Sequence, residues 1–272
     1  MLYIVGTPIG NLGDISPRAA ETLSSVDFIA AEDTRVTRRL LNHLGIRAAL
    51  VSYHEHNRLE SGQKILERLT GGESCALVAD AGMPVISDPG HDLVALCHEN
   101  GIRVAVVPGP SAAACAVALS GLACGRFCFE GFLTTAKRKR REHLISLERE
   151  ERAMVFYEAP HKLASTLNDM LRHFGDRRIA IAREMTKLHE EVVRATLSEA
   201  AAKYAEIPPK GELVIVVEGA KIISEPAELP VERALLYVGQ GMSVRDAARR
   251  ASAETKCSRS ELYRVLIASK DI

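Results

Sequence analysis

Ala76-Leu77-Val78-Ala79 runs directly into Asp80-Ala81-Gly82-Met83-Pro84 and then Ser87-Asp88-Pro89-Gly90. The same shape occurs twice more in the first half of the chain. Leu2-Tyr3-Ile4-Val5 enters Gly6-Thr7-Pro8-Ile9-Gly10-Asn11-Leu12-Gly13, and Val104-Ala105-Val106-Val107 enters Pro108-Gly109-Pro110-Ser111-Ala112. Each apolar run reads as a strand buried on both faces. Each Gly/Pro loop lets the backbone approach a ligand and holds one shape while doing so. In open α/β sheets, ligands bind just beyond the carboxyl ends of parallel strands. One such loop is an ordinary turn, whereas three on one sheet edge make a ligand site. The stretch 80–90 holds eleven residues, where a plain connector takes about 2–6. It is therefore the strongest functional candidate of the three.

Outward from these loops, strand and helix signals alternate to about residue 120. Strands are expected at Leu2–Val5, Asp27–Ala31, Ala48–Ser52, Cys75–Ala79 and Arg103–Val107. Helices are expected at Ser16–Ser25, Thr34–Leu44, Arg58–Leu69, His91–Asn100 and Ser111–Leu119. Ser16-Pro17 reads as an N-cap followed by the first helical position, and Gly45 and Gly101 stand where glycine stops belong. Apolar strands alternating with helices predict a parallel sheet covered on both faces. A second α/β unit follows, with strands expected at Phe127–Gly131, Ala153–Tyr157, Arg178–Arg183, Val192–Thr196 and Leu213–Glu218. Pro160 opens a helix running to His173. The segment Glu190–Thr196 reads as an antiparallel partner ahead of the Ser198–Ala205 helix, so the second sheet is expected to be mixed. The organisation is thus an N-terminal α/β lobe at 1–120, a second α/β lobe at 121–220, a linker at 221–230 and a helical domain at 231–272. That last domain has three short helix patterns, Val231–Val238, Ser243–Glu254 and Ser258–Ala268, an arrangement like a helix-turn-helix core.

The chain has 272 residues and no net charge, so no global field draws it to nucleic acid or membrane. Any basic surface is local. The tail carries eight Lys/Arg against five Asp/Glu, and Lys137-Arg138-Lys139-Arg140-Arg141 is an unbroken basic run. Such runs lie in water or contact phosphate backbones, giving affinity without sequence readout. The six cysteines, Cys75, Cys97, Cys115, Cys124, Cys128 and Cys257, are scattered and mostly set in apolar stretches. They read as buried free thiols rather than a zinc site, which points to a reducing cytoplasm. No basic leader precedes the strand at Leu2, and no apolar run approaches the ~20 residues that span a bilayer.

The first loop has the spacing of neither the dinucleotide fingerprint nor the P-loop. Glu32-Asp33-Thr34-Arg35 follows the second strand and suits either substrate binding or a helix N-cap with its first-turn charges. Phe156-Tyr157-Glu158-Ala159-Pro160-His161-Lys162 repeats the strand-then-turn logic in the second lobe. Ala182-Arg183-Glu184-Met185-Thr186-Lys187-Leu188-His189-Glu190 follows another apolar strand with dense charges of both signs. No spacing of His, Cys and carboxylates makes a metal centre.

Taken together and in this order, these motifs, with Phe129-Glu130-Gly131-Phe132, resemble the tetrapyrrole methylase superfamily. Within it they resemble the branch that methylates small-subunit ribosomal RNA. The resemblance covers nearly the whole chain, and its specificity lies in the combination rather than in any single motif. Met83 departs from the family pattern, where Thr is expected in many relatives. The resemblance implies a two-lobed methyltransferase with S-adenosylmethionine in the cleft between a parallel and a mixed sheet, working as a homodimer. It implies 2′-O-methylation of a cytidine ribose in the decoding region of 16S ribosomal RNA, with the tail as an RNA-binding appendage. The cofactor is then expected against Asp80, Ala81, Gly82, Met83, Pro84, Val85, Ile86 and Asp88, the Ser111-Ala112 turn and the backbone at Ala159-Pro160. A ribose hydroxyl is a poor nucleophile, so a base or polarising cation helps. Glu158 is the first candidate, with Asp33 and Lys187 behind it. Asn11, Arg35, Arg183 and Lys137 to Arg141 are the expected RNA contacts. Two other readings use parts of the same residues: a methyltransferase of a tetrapyrrole or other small molecule, and a nucleic-acid-binding protein without catalysis.

Overall fold

The structure is a computed structural model that describes residues 1–122, 125–221, 228–255 and 257–268. Cys124 and most of the expected linker lie outside the described residues. Five parallel strands form the first sheet: β1 (Leu2–Val5), β2 (Phe28–Ala31), β3 (Ala49–Ser52), β4 (Cys75–Val78) and β5 (Val104–Val107). Their spatial order is β3-β2-β4-β1-β5, with every pairing parallel. Alternation along each strand divides its side chains between two cores. Phe28, Ala30, Leu2 and Leu77 pack under α3 (Arg58–Thr70) and α4 (His91–Glu99), around Ile65, Leu69 and Leu93. Ile29, Ala31, Val5 and Val78 pack under α1 (Pro17–Ser25) and α2 (Thr34–Leu44), around Leu23 and Leu41. Local signals act as expected. Ser16 caps α1 by accepting from the Ala19 amide at 3.1 Å, and Gly45 ends α2 in the left-handed region with φ 70°.

The second sheet has the order β6-β7-β10-β8-β9, built from β6 (Phe127–Phe132), β7 (Ala153–Glu158), β8 (Arg178–Arg183), β9 (Glu191–Thr196) and β10 (Leu213–Val217). It is mixed: β6 and β7 are parallel, while β10 runs antiparallel to both its neighbours and β9 antiparallel to β8. One face is covered by α6 (Lys137–Ser146), α7 (Leu163–Phe174) and α8 (Leu197–Glu206), through Leu144, Leu163, Leu167, Met170 and Tyr204. Pro160–Lys162 forms a 3-10 turn ahead of α7 rather than its first helical turn. The basic run forms the start of α6.

The two sheets are joined by α5 (Ala112–Ser120), whose sequence is almost wholly small and apolar. Ala113 and Ala116 lie on the other face of the second sheet, against Ala153, Val155, Ala180, Ala182, Val214 and Val216. Alanines on both sides let the helix backbone approach the sheet closely. Arg194 of β9 secures the far end, donating from Nε to the Ser120 carbonyl at 2.9 Å and from Nη2 to the Leu119 carbonyl.

Residues 221–272 form a separate compact unit. Its helices α9 (Glu228–Gly239), α10 (Val244–Thr255) and α11 (Arg259–Ala268) pack around Ala234, Ala248, Ala251, Leu262 and Leu266. Helix α9 opens inside the stretch expected to be linker. Ser243 caps α10 by accepting from the Asp246 amide at 3.1 Å.

Ala116 is 1% exposed within the α5 contact. Overpacking such a site costs about 1–3 kcal/mol. Ala116→Leu is therefore expected to lower the melting temperature by about 2–4 °C per kcal/mol lost. Calorimetric melting of the two proteins measures it, and an unchanged midpoint would mean that the α5 contact is not close-packed.

Candidate functional site

A cavity of about 440 Å3 opens where the loop edges of the two sheets meet. That volume falls within the range of about 300–1,000 Å3 typical of small-molecule and cofactor sites. The first sheet contributes Ile9, Glu32, Asp80 to Met83, Ile86 to Asp88, Ser111 and Ala112. The second contributes Phe132, Tyr157 to Pro160, Met185 and Glu212 to Val214.

Backbone bonds between the loops set this shape. Thr7 and Gly82 exchange amide–carbonyl hydrogen bonds at 2.9 and 3.1 Å, and the Thr7 hydroxyl donates to the Ala79 carbonyl at 3.2 Å. Gly6 and Gly109 lie back to back: a Cβ on Gly6 would meet the Gly109 Cα at 2.6 Å. Met83 turns into this joint, its sulfur accepting from the Gly109 amide at 3.3 Å. Met83 thus both lines the cavity and braces the joint between the loops. Gly10 brings the first loop against the second lobe, because a Cβ there would meet the Lys187 side chain at 2.6 Å. Among the described residues, four other than glycine have positive φ, namely Val85, Ser87, Glu184 and Thr186. All lie in the two loops flanking the cavity, where backbone strain commonly marks ligand-shaped segments.

Of the expected cofactor residues, Asp80, Ala81, Gly82, Met83, Ile86, Asp88, Ser111, Ala112, Ala159 and Pro160 line the cavity. Pro84 and Val85 do not. Val85 packs into the core beneath the loop with Leu77 and Leu93, and Pro84 is buried beside it in the chain.

All three residues expected as a base or polarising cation are already engaged. Glu158 is 4% exposed. Its Oε1 accepts from the Ala159 amide at 2.8 Å and its Oε2 from the Thr166 hydroxyl, so the carboxylate holds the cavity wall. Asp33 caps α2 through the Arg35 amide at 2.8 Å and binds the Arg35 guanidinium at 2.6 Å. Those hydrogen bonds pull its pKa down to about 2, which makes it a poor base. Lys187 is bound by Glu184 at 2.9 Å and Glu212 at 3.0 Å. Burial opposes its charge, but the two carboxylates outweigh burial and its pKa is raised, so it stays an ammonium.

The expected RNA contacts also divide. Lys137, Arg138, Lys139 and Arg141 are exposed on α6, although Arg138 pairs with Glu142 at 2.8 Å. Arg140 turns inward and is 12% exposed, binding Asp169 at 2.8 Å and donating to the Thr166 hydroxyl at 2.9 Å. A chain therefore runs from Arg140 through Thr166 and Glu158 to the Ala159 backbone. Arg183 is held by Glu191 at 3.0 Å and the Lys210 carbonyl at 3.2 Å. Asn11 caps a 3-10 turn by accepting from the Gly13 amide at 2.9 Å.

Glu212, Leu213 and Val214 escaped the sequence argument because it looked only at carboxyl ends of strands. β10 is antiparallel, with Leu213 opposite Glu158 and Val214 opposite Tyr157, so its amino end reaches the cavity. The signal was Pro208-Pro209-Lys210-Gly211 at the mouth of an apolar strand, and Gly211 has φ 89°.

The cavity is electrostatically negative on its first-sheet side. Burial, then the charges of Glu32 and Asp80, push the Asp88 pKa up to about 7. Burial and Asp80 raise Glu32, and burial also raises Asp80. Opposite, Phe132 and Tyr157 meet edge to face with centroids 5.4 Å apart. A cationic ligand with a flat ring fits this pairing of carboxylates with an aromatic wall. Among the described residues no cluster of His, Cys, Asp and Glu is arranged to hold a metal ion.

Residues 1–201 match the family described as Tetrapyrrole (Corrin/Porphyrin) Methylases. A relative from Synechocystis sp., named ribosomal RNA small subunit methyltransferase I, is 47% identical over 269 residues, covering 97% of this chain and 96% of that one. One of the same name from Thermotoga maritima is 52% identical over 218 residues, 80% of this chain and 98% of its own. Among solved structures, uroporphyrin-III-C-methyltransferase from Thermus thermophilus aligns with TM-score 0.57 at 17% identity, over 79% of this chain and 93% of that one, a likeness of fold. The methyl donor is S-adenosylmethionine, whose sulfonium and ammonium charges and purine ring match the carboxylates and aromatic wall. Sequence match, two-sheet topology and cavity chemistry agree: the chain belongs to the tetrapyrrole (corrin/porphyrin) methylase family.

Proposed function

We propose that the chain methylates the 2′-hydroxyl of a cytidine ribose in the decoding region of 16S ribosomal RNA, as a cytoplasmic homodimer. The supporting observation is the 47% identity to a small-subunit ribosomal RNA methyltransferase, which extends over 97% of this chain and so takes in both lobes and reaches into the tail. No helix among the described residues is long and apolar enough to cross a membrane. The bound donor supplies a methyl group activated on a sulfonium. The protein's part is to hold that methyl and the ribose oxygen in line, and positioning is worth up to about 7–11 kcal/mol. Asp80, Asp88 and Glu32 hold the cationic part, Ser111, Ala112 and Ala159-Pro160 offer backbone, and Phe132 with Tyr157 cover the ring. Glu158 positions the Ala159-Pro160 wall. The exposed basic residues of α6 and the tail receive phosphates, giving an affinity that falls with salt.

The direct test is transfer of labelled methyl from S-adenosylmethionine onto small ribosomal subunits lacking the mark. Label is expected on one cytidine ribose of 16S RNA. Folded, donor-binding protein that leaves subunits unlabelled would overturn the function, and label on a base would overturn the 2′-oxygen.

A second expectation concerns pH. Unliganded Asp88 keeps its proton up to about pH 7. A cationic donor favours the carboxylate, so binding expels that proton, and affinity rises as pH climbs toward the raised pKa. Titration calorimetry at about pH 5.5 and 7.5 should show binding weaker by up to about tenfold per unit below neutrality. Asp88→Asn should flatten the profile, and an unaltered slope in that variant would assign the proton elsewhere.

A third follows from the buried chain of hydrogen bonds. Thr166→Val keeps side-chain shape and removes the hydroxyl between Arg140 and Glu158, leaving buried polar groups unsatisfied at about 1–3 kcal/mol. Donor affinity is expected to fall by about tenfold or more. Calorimetry with unchanged affinity would show that the wall stands without Thr166.

A further inference from the structure

Helix α2 carries a polar stripe that the proposed function leaves without a task. Its buried face is Thr37, Leu40 and Leu41, set against the first sheet. Arg35, Arg38, Arg39 and Asn42 follow the spacing i, i+3, i+4, i+7 and so share the opposite face. All four are exposed. The helix sequence TRVTRRLLNHL contains no acidic residue, in a chain whose charges otherwise balance. Arg35 pairs with Asp33, but among the described residues no carboxylate pairs with Arg38 or Arg39. From Arg35 to Asn42, eight residues of helix carry the stripe over roughly 10 Å.

The stripe is also linked to the cofactor cavity through shared lining residues. Thr34, Arg35, Arg38, Arg39 and Asn42 border a groove of about 230 Å3. Arg39 also borders an adjoining cleft of about 280 Å3, whose wall includes Pro8, Leu12 and Asp80. Asp80 in turn lines the cofactor cavity. Groove, cleft and cavity thus share one residue at each junction. An unbalanced row of guanidinium groups that leads along one track to a methyl-donor pocket has the charge of a phosphate-backbone path.

We propose that the α2 stripe is the path along which the RNA strand reaches the donor, with Arg38 and Arg39 holding its phosphates. This rests on the RNA-methylating function proposed above. It assigns a face of approach and two residues that neither the family match nor the relatives name. Phosphate contacts of this kind give affinity and register without reading sequence.

The test compares wild type with the double variant Arg38→Ala/Arg39→Ala, using unmethylated small ribosomal subunits and protein-free 16S RNA. The KM for subunits is expected to rise about tenfold or more, with kcat at saturation unchanged. In binding to 16S RNA, the slope of log K against log salt should shrink by about 1 for each arginine lost. The Kd for S-adenosylmethionine should not move. Arg38→Lys/Arg39→Lys should restore most of the salt slope, because the charge returns. An alanine variant with wild-type KM and salt slope overturns the path. Weakened binding to subunits with normal binding to free RNA also overturns it, since the stripe would then face a ribosomal protein. Wild-type protein that binds S-adenosylmethionine but neither methylates subunits nor binds their RNA removes the proposed function and the stripe's ligand together. That result is distinct from a silent variant beside an active wild type.

Discussion

The contact on which the rest of the molecule depends is the alanine face of α5 on the second sheet. Ala113 and Ala116 meet Ala153, Ala180 and Ala182, so helix and sheet approach without long side chains between them. α5 begins at the turn Ser111-Ala112, which lines the cavity, and the strands beneath it end at or begin from cavity residues. The distance between the two walls is therefore set by side chains of minimal size. Larger ones would move the Ser111 turn off the Ala159-Pro160 wall before they touched any ligand. Arg194 fixes the other end of the helix through the last carbonyls of α5, a favourable place for a cation at a helix C-terminus. With both ends held, the flanking loops can carry positive φ at Val85, Ser87, Glu184 and Thr186, because the surrounding packing over-determines them.

Much of this was legible in the sequence because its information is local. Strand runs, the Ser16 cap and the Gly45 stop depend on a few adjacent residues, and they fall within a residue or so of expectation. The Gly/Pro loops were equally readable, since the carboxyl ends of β1, β2, β4 and β5 all send residues to the cavity wall. The rule lost β10 because strand direction comes from pairing, and nothing within Leu213–Val217 states that it runs against β7. Arg140 was lost for a similar reason. A run of five basic residues has no internal period to say which one turns inward, and its partners Thr166 and Asp169 come from α7. Glu158 stood at the expected strand end, yet its two oxygens are claimed by Ala159 and Thr166. Position was readable there and occupation was not.

Charge is sorted by place in this neutral chain. The cavity gathers Glu32, Asp80 and Asp88, and burial, reinforced by the charges of Glu32 and Asp80, keeps Asp88 protonated up to about 7. Arginines stand a short way along α2 from the same cavity, joined to it through Arg39 and Asp80. The pair Asp33–Arg35 sits at the boundary, and the Asp33 amide donates to Asp80 at 3.0 Å. Carboxylates thus gather at the cavity and guanidinium groups along the neighbouring helix face.

Under the proposed function, this sorting orders the two ligands by electrostatics. A phosphate moving from the α2 groove toward the cavity approaches three carboxylates in a partly desolvated setting, where screening by salt is weaker than in open solvent. A cationic donor held among those carboxylates cancels part of that field and converts a repulsive end of the track into a tolerant one. The same donor lowers the energy of the ionised carboxylates that burial had disfavoured. Donor and RNA are therefore coupled through the field of Glu32, Asp80 and Asp88, and linkage makes that coupling reciprocal, each ligand favouring the other. No moving part is needed for this, only carboxylates and arginines fixed close together by the edge of one parallel sheet.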